Sequence, residues 1–263
     1  MPRNFTRKAL ILRTRPSGES NREVWFLCAE EGILRATVFG GPRSRLRSHA
    51  APYHSGTAWI YHDPVKDSRK LGDFDVGFWR PGIREQYERT MTAGAVAETI
   101  LASHGGGGIW EAALGLADAV FDALDGADGA LCEKIFIYFL WRWADILGAR
   151  PDLNRCVSCG REAGTGRGAA PAERLFFSAG EGGFLCGDCA GGQPLPAAGP
   201  GCRSWLAAAE ALPPSRLGSC SADEISSREA LALVRAVAGE ALGRIPSTWD
   251  WQAEKFRTPP DFT

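Results

Sequence analysis

The sequence predicts an α+β multi-domain fold: a small N-terminal β-barrel, then an α-helical domain with an inserted four-cysteine segment. Three observations predict it. About five short strand-like runs separated by turn residues fill the first eighty positions, the apolar period becomes helical from Arg84, and two Cys-x-x-Cys pairs follow the helical stretch. The expected divisions are a barrel over 1–80, a first helical part over 81–150, the cysteine segment over 151–195, and a second helical part with a tail over 196–263.

The strands come first. Ala9–Arg15 is β-rich and partly alternating, and the run from Pro16 to Ser20 breaks it as a loop. Val24–Cys28 and Ile33–Phe39, joined by a turn at Glu30–Gly32, read as a hairpin that the Gly-Gly-Pro at 40–42 stops. An irregular basic segment, Arg43–Arg47, precedes strands at Thr57–His62 and Leu71–Trp79. Closing so few strands into a barrel removes exposed edges, and the five-stranded oligonucleotide-binding (OB) barrel is the common solution at this size. Trp25, Phe39 and Trp59 are flanked by apolar neighbours and are expected in the core, with base stacking as the alternative role.

Helices follow. Residues 84–103 and 109–124 repeat apolar side chains at helical spacing, and 132–147 is apolar nearly all round, as a central core helix should be, with Gly148 as its stop. Residues 191–200 read as a Pro/Gly/Ala linker. Ser226-x-x-Glu229 is a capping-box candidate for a last helix over 230–242. Trp249 and Trp251 are expected to pack back on the body.

Cys156 and Cys159, then Cys186 and Cys189, form two pairs separated by twenty-six residues. Two such knuckles facing each other supply the tetrahedral thiolate cage of a closed structural Zn²⁺ site, so one structural Zn²⁺ is expected. Gly160 and Gly187 suit the turns, where positive φ is often needed. Paired disulfides or a thioredoxin-like redox pair are the rivals. They fit poorly with a start, MPRNFTRKAL, that lacks a signal-peptide core, and with the absence of any membrane-length apolar run. The chain therefore reads as cytoplasmic and reducing. Cys28, Cys132, Cys202 and Cys220 are isolated, and Cys28 and Cys132 sit in apolar segments as small buried hydrophobes.

The formal charge of −1 hides an asymmetry. Residues 1–80 carry fourteen Lys/Arg against eight Asp/Glu, and residues 81–263 carry sixteen against twenty-three. A basic barrel suggests an anionic partner such as nucleic acid. The candidate contacts are Lys8, Arg13, Arg15, Arg22, Arg35, Arg43, Arg45 and Arg47, with the last three foremost because they lie in a probable loop. A search for catalytic residues finds none. His49, His54, His62 and His104 form no metal-enzyme motif, the Gly105–Gly108 run lacks the Lys-Ser/Thr of a phosphate loop, and Asp73 and Asp75 stand without further carboxylates.

These residues carry a resemblance. The segment from Leu12 to Arg22, LRTRPSGESNR, resembles the opening of the RecO recombination mediators; Gly32–Arg35 is similar to that family's second hairpin, and the segment from Gly40 to Arg47 to its basic loop. A helical region with a four-cysteine insertion agrees in order. The resemblance implies a non-enzymatic DNA-repair protein that binds single- and double-stranded DNA, anneals complementary strands and helps RecA replace single-strand-binding protein. It implies RecR and the acidic tail of single-strand-binding protein as partners, and RecA indirectly, with no membrane. Such a tail needs an apolar groove rimmed by cations, for which Lys134, Arg142 and Arg150 are the candidates. A zinc-containing nuclease and a zinc-ribbon adaptor that touches only protein are the alternatives.

Overall fold

The structure is a computed structural model and describes residues 3–41, 43–164 and 173–250. The chain divides into two compact units, one running to Asp128 and resuming at Pro246, the other spanning Gly129–Ile245.

The first unit opens with β1 (Asn4–Ser17), β2 (Asn21–Cys28) and β3 (Gly32–Val38). A short helix, α1 (Arg45–His49), leads to β4 (Ser55–Asp63) and β5 (Ser68–Phe78). The strands close into a barrel in the order β1-β2-β3-β5-β4. β1 is long because it serves two neighbours. Residues 4–10 pair with β4 and residues 9–17 with β2, and a register shift between Ile11 and Arg13 bends the strand from one partner to the other. The parallel pairing of Thr37 and Val38 with Lys70 and Leu71 completes the circle. Pro16 and Ser17, expected in a loop, thus belong to β1.

Strict alternation fills the barrel. Ala9 and Ile11, Val24, Phe26 and Cys28, Leu34, Ala36 and Val38, and Ala58 and Ile60 all point inward. Yet Leu10, Leu12 and Leu27, on the other face of β1 and β2, are equally buried. Their cover is α2 (Tyr87–Ala102) and α3 (Trp110–Asp125), which pack on these two strands. Burying each Leu side chain stabilises the fold by about 1.5–3 kcal/mol, so a barrel with this apolar outer patch requires the helices. The Gly105–Gly108 run joins them with positive φ at all four residues, and Gly105 lies where a Cβ would meet Leu27 at 2.9 Å.

α1 corrects the reading of an irregular segment for Arg45–Arg47, while Arg43 stays in the turn before the helix. Leu46 packs against the barrel core and His49 Nδ1 lies 3.0 Å from Phe74 C=O, and these two contacts hold the helical turn on the barrel. The core placement of Trp25, Phe39 and Trp59 is also corrected. With Val24, Phe26, Val38, Ala58 and Ile60 inward, period two sends the three aromatics outward, and Phe39 and Trp59 are 49% and 43% exposed. Trp249 does return to the body: it is buried, and its indole Nε1 donates to Thr99 Oγ1 of α2 at 3.0 Å. Trp251 lies outside the described residues.

The second unit is built on α4 (Gly129–Ile146), whose Phe136, Phe139, Trp141 and Trp143 are buried. Then come β6 (Leu175–Ser178), β7 (Gly183–Leu185), α5 (Gly187–Ala190), β8 (Ala197–Ala198), α6 (Pro200–Glu210) and α7 (Glu224–Leu242). The three strands form a small sheet in the order β7-β6-β8, and α6 and α7 pack against α4. α6 lies within the span 196–263 expected to be helical, where the sequence marks no separate helix. α7 starts earlier than its capping box suggested: Asp223 is the N-cap, accepting from the Ser226 N–H at 2.8 Å, while Glu229 instead accepts from the Gly199 N–H at 2.8 Å. Among the described residues no helix is long and apolar enough to cross a membrane.

Candidate metal centre and nucleic-acid face

The four cysteines converge in the second unit. Cys156, Cys159, Cys186 and Cys189 place their sulfurs within 4.8 Å of one another, and Cys159 Sγ and Cys186 Sγ lie 3.8 Å apart. Each pair has its own turn. The Gly160 N–H donates to Cys156 C=O at 3.0 Å with φ +74° at Gly160, and the Ala190 N–H donates to Cys186 C=O at 2.9 Å across α5. Gly187 does not supply a positive φ; it opens α5, and Gly191 takes that conformation after it. The Val157 N–H donates to Phe184 C=O at 2.8 Å and fixes one knuckle against the other.

Electrostatics in the cluster depend on proximity. Burial raises the Cys156 thiol, but backbone N–H groups of Cys159, Cys186 and Ser158 overcome it and bring the group down to about 6. Cys189 has a hydrogen bond with Ser158 that favours its thiolate, yet the neighbouring sulfurs of Cys186 and Cys159 push it up to about 12. Four thiolates side by side need a cation to offset their repulsion. None of the eight cysteines is in a disulfide, and the four sulfurs could hold a metal ion with no position left open.

The segment is held from beneath by a residue the sequence reading missed. Arg203 of α6 is 1% exposed, and its guanidinium bonds to backbone carbonyls, with no carboxylate paired to it among the described residues. It donates to the carbonyls of Leu153 at 3.0 Å and Ala163 at 3.1 Å through one nitrogen, and of Gly164 at 2.7 Å and Glu173 at 2.8 Å through the other. One planar fork thus joins the start of the cysteine segment to two stretches between its cysteine pairs.

The eight candidate DNA contacts all lie in the first unit but do not form one patch. Arg13 stands opposite Trp25, and Trp25 opposite Arg35, in one cross-strand row on the outer face of β1, β2 and β3. Arg13 and Arg15 sit 5.2 Å and 5.6 Å from the Trp25 ring centroid. Arg35 is exposed and pairs with Glu23 at 3.1 Å. Burial, then the Arg15 charge, press the Arg13 pKa downward, while the Glu98 carboxylate opposes the shift.

The remaining candidates are dispersed. Lys8 is on the outer face where β1 meets β4, opposite Thr57, which in turn faces Asp75. Arg22 shares the inward parity of Val24 at the end of β2. Arg43 is exposed in the turn before α1; Arg45 and Arg47 are two residues apart on α1 and therefore leave it on different sides, and Arg45 Nε meets His49 Nε2 at 3.3 Å. Asp73 and Asp75 flank β4 with no third carboxylate in a metal-holding group among the described residues. In the second unit, Lys134 donates to Cys220 C=O, Arg142 to Glu210 C=O, and Arg150 to the Glu210 carboxylate, so these cations serve internal bonds.

Comparison with known proteins gives the chain its place. Residues 1–75 match the family model "Recombination protein O N terminal" and residues 84–249 match "Recombination protein O C terminal". The DNA repair protein RecO of Pelotomaculum thermopropionicum is 30% identical over 183 residues, 69% of this chain and 66% of that protein, so the match spans just under two thirds of that relative. The RecO protein of an Anaeromyxobacter species is 30% identical over 217 residues, covering 79% of this chain and 77% of its own length. That of Bacillus subtilis is 25% identical over 187 residues, 69% and 67% of the two chains. A closed five-stranded barrel, a helical region, a four-cysteine cluster and matches to both halves of one family together show that the chain belongs to the RecO family of DNA repair and recombination proteins.

Proposed function

We propose that this chain is a recombination mediator without enzymatic activity. It binds single- and double-stranded DNA through the barrel, anneals complementary strands, and with RecR assists RecA onto DNA covered by single-strand-binding protein in the cytoplasm. The observation that carries the DNA reading is the row of Arg13, Trp25 and Arg35 with Arg15 beside it, because guanidinium groups flanking an outward indole grip phosphates and stack bases at once. An OB barrel presents its second and third strands to oligonucleotides, and two of these residues stand there. The acidic tail of single-strand-binding protein is assigned to the groove of about 600 Å³ over Gly239, where Phe177, Leu195 and Ile245 are bordered by Arg235 and Arg244, two cations against the one carboxylate of Glu240.

The cysteine cluster holds one structural Zn²⁺ through Cys156, Cys159, Cys186 and Cys189. Zn–S bonds of about 2.3 Å imply sulfur–sulfur edges of about 3.8 Å, the separation of Cys159 and Cys186. The ion supplies folding energy to a segment with few apolar residues of its own. Annealing of complementary strands precoated with single-strand-binding protein tests the whole reading. The expected result is ATP-independent duplex formation that weakens with salt, with labelled DNA left intact in Mg²⁺ or Mn²⁺. Folded protein that fails to anneal at low salt removes the mediator role, and cleaved DNA establishes the nuclease in its place.

A further inference from the structure

Trp59 and Tyr61 stand two residues apart on the outer face of β4, on the side of the barrel where β4 pairs with β1 and β5. Alternate residues of a strand are about 6.7 Å apart, twice the roughly 3.4 Å separation of stacked bases. Two aromatic side chains at that interval leave a gap one planar ring thick. The floor of the gap is Gly72. The register steps from Trp59–Asp73 to Ile60–Leu71, so Gly72 is the extra residue of a bulge and contributes no side chain between the two rings. A cavity of about 400 Å³ lies there, lined by Trp59, Tyr61, Gly72, Asn4 and Thr6.

Charge gives the slot a direction. Lys70, opposite Tyr61 in register, holds its ammonium 5.9 Å from the Tyr61 ring centroid and 5.2 Å from that of the exposed Phe39. Asp73, opposite Trp59, repels phosphate at the other end. Trp59, Tyr61, Gly72 and Asp73 stand on β4 and β5, whereas the row of Arg13, Trp25 and Arg35 lies on β1, β2 and β3.

We propose that the slot over Gly72 is a second nucleic-acid site, one that takes a single unstacked nucleobase of single-stranded DNA between Trp59 and Tyr61, with its phosphate at Lys70. The inference rests on the DNA-binding reading above and extends it. The arginine row holds backbone of any strand, whereas the slot accepts only a base that is free of its stack. It thereby favours single strands over duplex.

Binding of a fluorescein-labelled oligothymidine, the same strand with abasic sites, and a duplex of equal length, each to the full chain, tests this. Trp59→Ala and Tyr61→Ala are expected to weaken oligothymidine binding about 5- to 150-fold, in line with roughly 1–3 kcal/mol per stacked base. Duplex affinity and the salt slope should stay unchanged, and Trp59→Phe should retain most of the affinity. Gly72→Val should mimic Trp59→Ala, because an added Cβ meets only Trp59 C=O at an ordinary 3.6 Å and the variant folds with its slot filled. The abasic strand should bind all these proteins alike. If folded variants bind oligothymidine as the parent does, or if the parent binds intact and abasic strands equally, there is no base slot. That outcome leaves the arginine row untouched. A parent that binds no DNA at low salt removes the DNA-binding reading itself.

Discussion

At the residue scale, Arg203 carries a role that composition could not announce. A buried guanidinium usually meets a carboxylate, and a sequence shows an arginine in a helix without showing what lies above it. Here four backbone carbonyls substitute for the carboxylate, and burial presses the Arg203 pKa downward. The cysteines are the opposite case. Their spacing alone foretold that the four sulfurs would meet, because each pair occupies one turn and only their facing had to be supplied by the fold. Arg203→Met is expected to lower stability by about 3 kcal/mol, since it strips donors from buried carbonyls. Arg203→Lys should recover little, because an ammonium lacks the planar fork. Cys156→Ser should lower stability in the same way, and in both variants single-strand affinity should remain within about twofold. Urea unfolding followed by tryptophan fluorescence, with binding measured on the same samples, checks both. A large loss of affinity in folded protein would mean that the cysteine segment contacts DNA.

At the scale of elements, regular alternation and helical period were readable, whereas short pieces anchored by isolated contacts were not. β2 and β3 show why. Val24, Phe26, Leu34, Ala36 and Val38 set the inward parity and thereby send Trp25 outward, a result that apolar neighbours had obscured. The row from Arg13 to Arg35 needs more than parity, because the register shift in β1 decides which arginine faces Trp25. α1 is fastened by isolated contacts, Leu46 in the barrel core and His49 Nδ1 at 3.0 Å from Phe74 C=O, and five residues offer no period to detect. The final described turn, Ser247–Asp250, is likewise defined by contacts: Thr248 Oγ1 donates to Glu98 at 2.5 Å, and Trp249 lies buried against α2. Trp249→Ala should cost about 3–5 kcal/mol and Trp249→Phe less, the difference reflecting the bond to Thr99 and part of the indole's packing. Thermal unfolding of the two variants measures this, and a melting temperature equal to that of the parent would show that the return of the chain to α2 contributes nothing.

At the scale of the whole molecule, charge separates the two jobs that the proposed function combines. The excess of Lys/Arg lies in the first eighty residues and the excess of Asp/Glu beyond them, so under the proposed function the barrel supplies the electrostatic attraction for DNA. Affinity supplied by phosphate contacts is lost with salt in proportion to their number, about 0.7 of a log–log slope per contact for single strands and about 0.9 for duplex. Affinity supplied by stacking has no such dependence. Arg13→Ala with Arg35→Ala should therefore reduce the single-strand slope by about 1.4, and Arg45→Ala with Arg47→Ala by less, because α1 sends those two side chains in different directions. Trp59→Ala should weaken binding at every salt concentration and leave the slope as it was. Titrations of one oligonucleotide from 50 to 300 mM salt (~0.8 decades) separate these outcomes. Equal slopes for the parent and the Arg13/Arg35 variant would remove the arginine row from the interface, whatever the change in affinity at a single salt concentration.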